Sequence, residues 1–402
     1  MASDHHTTTS GTPATGPAHP AGTGRYPTSE QLLAEAVAAT GLDDFGPGDF
    51  RVGLDVLLDS LTRDADLSPD TDDAVLGRIR QRLVNRLEVE AWYAEHPELE
   101  TLGLRGPIDI IGLPRTGTTA LANMLSLDPQ FRCLRGWEQA QPVPPPTLDG
   151  EDDDPRRRQA MADDEAVPAE LKAMHLYDLD ATTEDSEVLG MAFHGQQMTL
   201  PVWGYHDWWR RADHTETFAH HRRVVTLLQS RRPPDLWLFK APHHKFHLEA
   251  IVAAYPDIRF VMTHRDPAKV VPSYTSLVTS IFPEPRTALD PHRAGREVAE
   301  HLRVGMDGAM AARARLGDDR FLDVHHVDLV ADPFGTVART YEWLGLELRP
   351  EVEQAITDWH AANRAGAHGT HRYTAEQFGL SADSLRADFA AYIDHYGVAL
   401  EG

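Results

Sequence analysis

The sequence predicts an α/β protein: a P-loop-like parallel β-sheet flanked by helices, with a helical N-terminal subdomain and a helical insertion. Three observations lead there. From about residue 105 onward, short apolar runs alternate with amphipathic stretches at helical spacing, the pattern of a parallel sheet covered on both faces. The first of those runs leads through "GLPRTGTT" into a helical pattern, the arrangement of an anion-binding turn. The residues before it carry helical periodicity alone.

Taken in order, residues 1–26 are mostly Thr, Gly, Pro, Ala, Ser and His. So few large apolar side chains cannot offset the entropy of ordering a chain, and a disordered tail is expected. Residues 27–104 form the helical subdomain, and Thr28 with Gln31 has the spacing of a capping box at its first helix. The α/β part takes residues 105–402. Its strands are expected in "PIDIIGL", "LWLFKAP", "IRFVMTHRDP" and "RFLDVHHVDL". Its helices are expected over 118–127, 244–254, 267–280, 292–316, 334–344 and 350–363. Between the first strand and the second lies an insertion, residues 140–235, which opens as a Pro-rich acidic loop and ends aromatic and mostly helical. No internal repeat or heptad array is visible.

Charge narrows the function classes. With 62 acidic against 38 basic side chains the formal net charge is -24, which disfavours a broad grip on nucleic acid or anionic lipid. Only Lys172, Lys240, Lys245 and Lys269 are lysines, so Arg is the default cation and each Lys is informative. The single cysteine, Cys133, allows no internal disulfide and no Cys-based metal cluster, as expected of a reducing cytoplasm. The N-terminus lacks a signal-peptide pattern, and no run of about 18 apolar residues follows, so no integral membrane segment is expected. Oligomeric state is left open.

The turn Pro114-Arg115-Thr116-Gly117-Thr118-Thr119 gathers backbone N–H groups and a helix N-terminus around an anion, with threonine hydroxyls as further donors. A nucleotide triphosphatase places Lys after the second Gly; here Thr118 stands there and the loop's cation is Arg115. No apolar strand ends in an Asp suited to magnesium, so the site is expected to work without a metal. A sulfuryl group fits, because a sulfate ester carries less negative charge than a phosphate ester and needs no metal to offset it. "GLPRTGTTAL" resembles the 5′-phosphosulfate loop of sulfotransferases that use 3′-phosphoadenosine 5′-phosphosulfate (PAPS), in which Lys or Arg occupies the position of Arg115.

A second motif lies about 150 residues on. In "FVMTHRDPAKVVPSYTSL" a strand ends in Arg265, Asp-Pro follows, and a helix carries Ser273. Arg265 can fork onto a phosphate while Ser273 adds a hydroxyl. The stretch resembles the same family's 3′-phosphate motif, and the pair of motifs distinguishes PAPS from ATP. The resemblance runs from about residue 105 to the end, is closest to a bacterial branch, and includes "VDLVADPFGTVARTYEWLGLEL" and "HRYTAEQFGL". It implies a PAPS-dependent sulfotransferase, with PAPS as donor and an in-line transfer to a hydroxyl of a small-molecule, lipid or glycan acceptor.

Sulfuryl transfer needs the acceptor's proton removed, and His suits this near neutral pH. In "FKAPHHKFHLEA" the resemblance implies Lys240 beside the bridging oxygen and His244 as base, with His243 the alternative. His243 and His247 share zinc-like spacing, but no intervening Glu or third ligand supports a metal. In "TTEDSEVLGMAF", Glu184, Asp185 and Glu187 fall before a substrate-facing helix in the resembling branch, and Glu187 is the expected acceptor-side carboxylate. Trp203, Tyr205, Trp208 and Trp209 can wall an apolar acceptor pocket or pack a core. His326 replaces the family's common Tyr before "xDLxxDP", which bears on the adenine contact. Arg364, Gly366 and Arg372 in "NRAGAHGTHRY" loosely resemble the loop that closes over the 3′-phosphate. Two other readings stay open: a P-loop kinase or NTPase with an altered loop, and a nucleotide-binding interaction protein without catalysis.

Overall fold

The structure is a computed structural model and describes residues 24–165, 182–195, 198–233, 236–282, 286–363 and 373–402. The tail up to residue 23 and the expected ligands Arg364, Gly366 and Arg372 lie outside the described residues.

Five parallel strands form one sheet in the order β2-β3-β1-β4-β5, with β1 Ile108–Gly112, β2 Phe131–Cys133, β3 Leu236–Lys240, β4 Arg259–His264 and β5 Phe321–His325. Four of these are the expected strands. The edge strand β2 is an addition, three residues long and too short to show a period. β1 is central and buried along its whole length, so its sequence "IDIIG" is apolar apart from one acid, Asp109. The chain leaves β1 toward one side of the sheet and β4 toward the other, which opens a crevice at the carboxyl ends of the strands beside β1.

The helices largely follow the predicted spans: Thr118–Ser126, Pro267–Ile281, Pro291–Leu316, Pro333–Leu344 and Pro350–Ala362. The stretch expected as one helix over 244–254 is instead a 3-10 turn, Pro242–Phe246, followed by a helix, Leu248–Ala254. Four of these helices begin with Pro at the first turn, where its missing N–H has no intrahelical partner to lose.

Three N-terminal helices, α1 Ser29–Thr40, α2 Phe50–Ser60 and α3 Pro69–Glu95, share a core of Leu32, Leu54, Leu57, Leu83 and Leu87. The Thr28–Gln31 capping box is present in both directions, at 3.3 and 2.9 Å. That core also takes Tyr205 and Trp209 from the insertion, at 0% and 1% exposure, while Trp203 joins the core beneath the sheet. The aromatic cluster therefore packs the subdomain onto the α/β part, and only Trp208 of the four remains partly exposed. Among the described residues no helix is long and apolar enough to cross a membrane.

Gly112 ends β1 at φ 129°, and a Cβ there would lie 2.4 Å from the Thr263 carbonyl oxygen on β4. Gly112→Ala is expected to cost about 2 kcal/mol or more, combining backbone strain with a clash against main chain. Urea denaturation reads this directly, and an unchanged midpoint contradicts it.

Candidate active site

The loop after β1 turns on Arg115, at φ 64°, and Gly117, at φ 95°, and then enters α4, Thr118–Ser126. A Cβ on Gly117 would sit 2.6 Å from Leu329 Cδ2 and 3.6 Å from His326 Nδ1, so the loop lies directly on the helix His326–Ala331. Thr116 is buried: its hydroxyl donates to the Leu113 carbonyl at 2.6 Å and meets the Thr263 hydroxyl at 2.6 Å. It pins the loop, leaving Thr118 and Thr119 at the helix N-terminus as donors toward a ligand.

The Gly-rich turn and the Arg-Asp-Pro stretch, far apart in sequence, meet here. Arg115 Nε donates to Ser273 Oγ at 3.3 Å, and Arg265 donates to the Arg115 carbonyl at 3.0 Å. Asp266 caps the following helix by accepting from the Ala268 N–H at 2.9 Å. The fork of Arg265 also holds a partner that no sequence motif foreshadows. Its Nε and a terminal nitrogen donate to the two carboxylate oxygens of Glu401, at 2.8 and 2.9 Å. Glu401 is fixed in turn by Asp266, which accepts from its backbone N–H at 2.8 Å, and by Arg386, which donates to its carbonyl at 2.7 Å. The hydrogen bonds from Arg265 hold the Glu401 carboxyl below the usual carboxylate range. Tyr373 lies close enough to Arg115 to act on its guanidinium.

Beyond Pro114 the crevice continues into a cavity of about 40 Å³ lined by Pro114, Glu184, Pro242, His243, Lys245, Tyr274, His301 and Leu302. Lys240, at the end of β3, donates to Glu184 at 3.1 Å. His243 lies 3.3 Å from Asp185 through Nε2 and 3.8 Å from Glu184 through Nδ1.

His244 is placed differently from the base expected in the sequence. It is 1% exposed, with Nδ1 at 2.7 Å from Asp109 and Nε2 at 2.7 Å from Asp185. Both nitrogens face carboxylates, so the ring carries both protons and has no lone pair to accept another. Burial alone would lower its pKa, but the charges of Asp185 and Asp109 outweigh it and raise the pKa to about 10. Asp185 is held well below the usual range: burial opposes this, while His244, His221 and His243 more than compensate. The geometry corrects the expectation, making His244 a buried cation and His243 the histidine on the cavity wall.

Glu187 is also displaced from its expected role. Its carboxylate takes Arg82 at 3.0 Å and Arg78 at 4.0 Å, at an apolar groove that Leu57, Val75, Ile79 and Ile281 line. Glu184, three residues earlier, borders the cavity instead. His247 stacks on His214 at 3.5 Å between ring centroids, away from His243, because the 3-10 turn breaks the helical spacing assumed for the pair. Asp185, His243 and His244 can each bring one ligand atom within 4.8 Å of the others, but both nitrogens of His244 are already taken by carboxylates.

Asp109 carried a signal that went unread: a lone acid in an apolar strand buried on both faces needs a cationic partner. Glu401 carried none.

Fold and site together define a parallel α/β protein whose Gly-rich turn after the central strand leads into a helix N-terminus. The comparisons specify it further. A profile described as the sulfotransferase family matches residues 107–350, and the chain belongs to that family. Sulfotransferase STF9 from Mycobacterium avium is 29% identical, with 95% of this chain and all of that one covered at a TM-score of 0.84. Sulfotransferase STF1 from Mycobacterium tuberculosis H37Rv is 31% identical over 91% of this chain and 99% of that one, at 0.78. Omega-hydroxy-beta-dihydromenaquinone-9 sulfotransferase Stf3 of Mycobacterium bovis is 25% identical over 185 residues, which spans 44% of each chain.

The buried ion cluster makes stability depend on pH with a fixed sign. His244 gains pKa on folding, so its contribution is complete below its unfolded value near 6.5 and disappears as pH rises through about 10. Thermal stability of the wild type is expected to fall over that interval. Asp109→Asn, which leaves an imidazolium with one carboxylate, should lose about 3 to 5 kcal/mol and flatten the slope. An equally stable variant contradicts the assignment.

Proposed function

We propose that the protein transfers the sulfuryl group of PAPS, in line and without a metal, to a hydroxyl of a small-molecule, lipid or glycan acceptor. The contact between the two phosphate motifs, Arg265 on the Arg115 carbonyl and Arg115 on Ser273, carries this reading, because it makes one cradle from two ends of a nucleotide bisphosphate. Family membership and the likeness to STF9 and STF1 support it.

In this reading the amides of residues 115–119 with Arg115, Thr118 and Thr119 hold the 5′-phosphosulfate. Arg265 and Ser273 take the 3′-phosphate, for which Glu401 must give up the Arg265 fork. Lys240 stabilises the charge that develops on the bridging oxygen as the sulfur–oxygen bond breaks. The acceptor oxygen forms the new bond to sulfur, adenosine 3′,5′-bisphosphate leaves with the electron pair, and His243 takes the acceptor's proton at Nδ1, which at 3.8 Å from Glu184 is beyond hydrogen-bond distance. Asp185 orients the His243 ring, as a carboxylate orients a base. Stf3 is named for an omega-hydroxy-beta-dihydromenaquinone-9, which keeps lipid hydroxyls in the range. A cytoplasmic setting is part of the proposal.

Transfer from radiolabelled PAPS is expected to persist in EDTA and to fall about 10²- to 10⁴-fold in His243→Ala with unchanged bisphosphate affinity. A requirement for magnesium, or full activity in that variant, contradicts the scheme. Glu401→Gln should tighten bisphosphate binding, because a competing carboxylate leaves Arg265. Weaker binding would mean that Glu401 positions the fork instead.

A further inference from the structure

Lys245 is used by none of the steps above, yet the fold makes room for it. It is 2% exposed, and Nζ donates to the Pro242 carbonyl at 2.9 Å. It lines the same cavity as Pro114 and His243. On the facing helix, Pro291–Leu316, stands Gly305, where a Cβ would come within 2.9 Å of Lys245 Cε and 2.5 Å of the Phe246 ring. Any larger residue there would push the ammonium stem out.

Burying an ammonium is unfavourable unless a negative charge accompanies it. The groups facing Lys245 are Glu184, His243, Tyr274 and His301. Glu184 is the carboxylate among them, and it lies 3.1 Å from Lys240. His301, 3% exposed, has Nδ1 without a hydrogen-bond partner among the described residues. Burial lowers the Lys245 pKa to about 7, against the opposing charge of Glu184. A buried amine and a buried imidazole nitrogen therefore face a small cavity with hydrogen-bonding capacity to spare.

The geometry points to Lys245 and His301 as an acceptor subsite that takes a carboxylate, so that the acceptor is a hydroxy acid, an alcohol or phenol bearing an acidic group. This rests on the sulfotransferase reading. In that reading the donor's anionic groups belong to the loop, Lys240, Arg265 and Ser273, and of these only Pro114 of the loop borders the cavity that Lys245 lines. At about 40 Å³ the cavity has the size of one carboxylate group, so a skeleton bearing it, aliphatic or aromatic, stays at the mouth. Lys suits it better than Arg, because an ammonium can be neutral when the cavity is empty and charged when it is filled.

The test uses the full chain saturated with adenosine 3′,5′-bisphosphate, with 4-hydroxybenzoate and its neutral isostere 4-hydroxybenzamide as probes. Calorimetry should show the acid binding about tenfold or more tighter than the amide, a discrimination lost in Lys245→Met. The chain has four lysines, so isotope-labelled lysine resolves each by NMR. The Lys245 signal should titrate near neutrality alone and stay charged to higher pH with the acid bound. Equal binding of the two probes, no binding of either beside normal bisphosphate binding, or discrimination that survives Lys245→Met overturns this subsite alone. Failure of the bisphosphate to bind removes the donor reading and the subsite with it.

Discussion

The site is organised by one buried ion cluster. An imidazolium, His244, sits between Asp109 on the central strand and Asp185 on the insertion. None of the three tolerates this depth alone, since each would be an unpaired charge in a dry interior. Together they fasten β1, the turn after β3 and the chain entering the helix Ser186–Gly190. The consequence is positional. Glu184 and His243, the sequence neighbours of Asp185 and His244, are thereby set at the cavity wall, and Lys240 is drawn onto Glu184.

The turn after β1 follows from a different constraint, the close approach of backbone to backbone. Gly112 lets β1 run against Thr263 of β4, and Gly117 lets the loop lie on Leu329. The carboxyl ends of β1 and β4 thus come close enough for Arg265 to reach the Arg115 carbonyl. Basic groups gather at this edge on a chain whose net charge is strongly negative, so attraction of an anion is local and comes from oriented groups, not from the overall field. Glu401 on the Arg265 fork shows that the edge accommodates a carboxylate.

Much of this was legible in the sequence because its signals are local. The Gly-rich turn, the Arg-Asp-Pro after a strand, the capping box at Thr28 and the Pro-led helices each declare themselves within a few residues. What was missed depends on long-range partners. His244 reads as a base when only its neighbours are considered; its pairing with Asp109 spans 135 residues and removes its lone pairs. Glu187 and Glu184 differ by three positions, and a bend ahead of the short helix sends one to Arg82 and the other to Lys240. The tryptophans carry no mark that separates a pocket wall from a core; Trp209 is buried against the N-terminal helices and Trp203 beneath the sheet. β2 has three residues and no turn signal of its own.

Calorimetric titration of the purified chain with adenosine 3′,5′-bisphosphate, against ATP and AMP in EDTA, tests the donor assignment most directly. A site built from both motifs predicts micromolar binding of the bisphosphate and, for AMP, which lacks one charged phosphate contact, affinity weaker by about ten- to a hundredfold. Binding of ATP or AMP as tightly as the bisphosphate would contradict it, and would leave the loop an anion site with no preference for this donor.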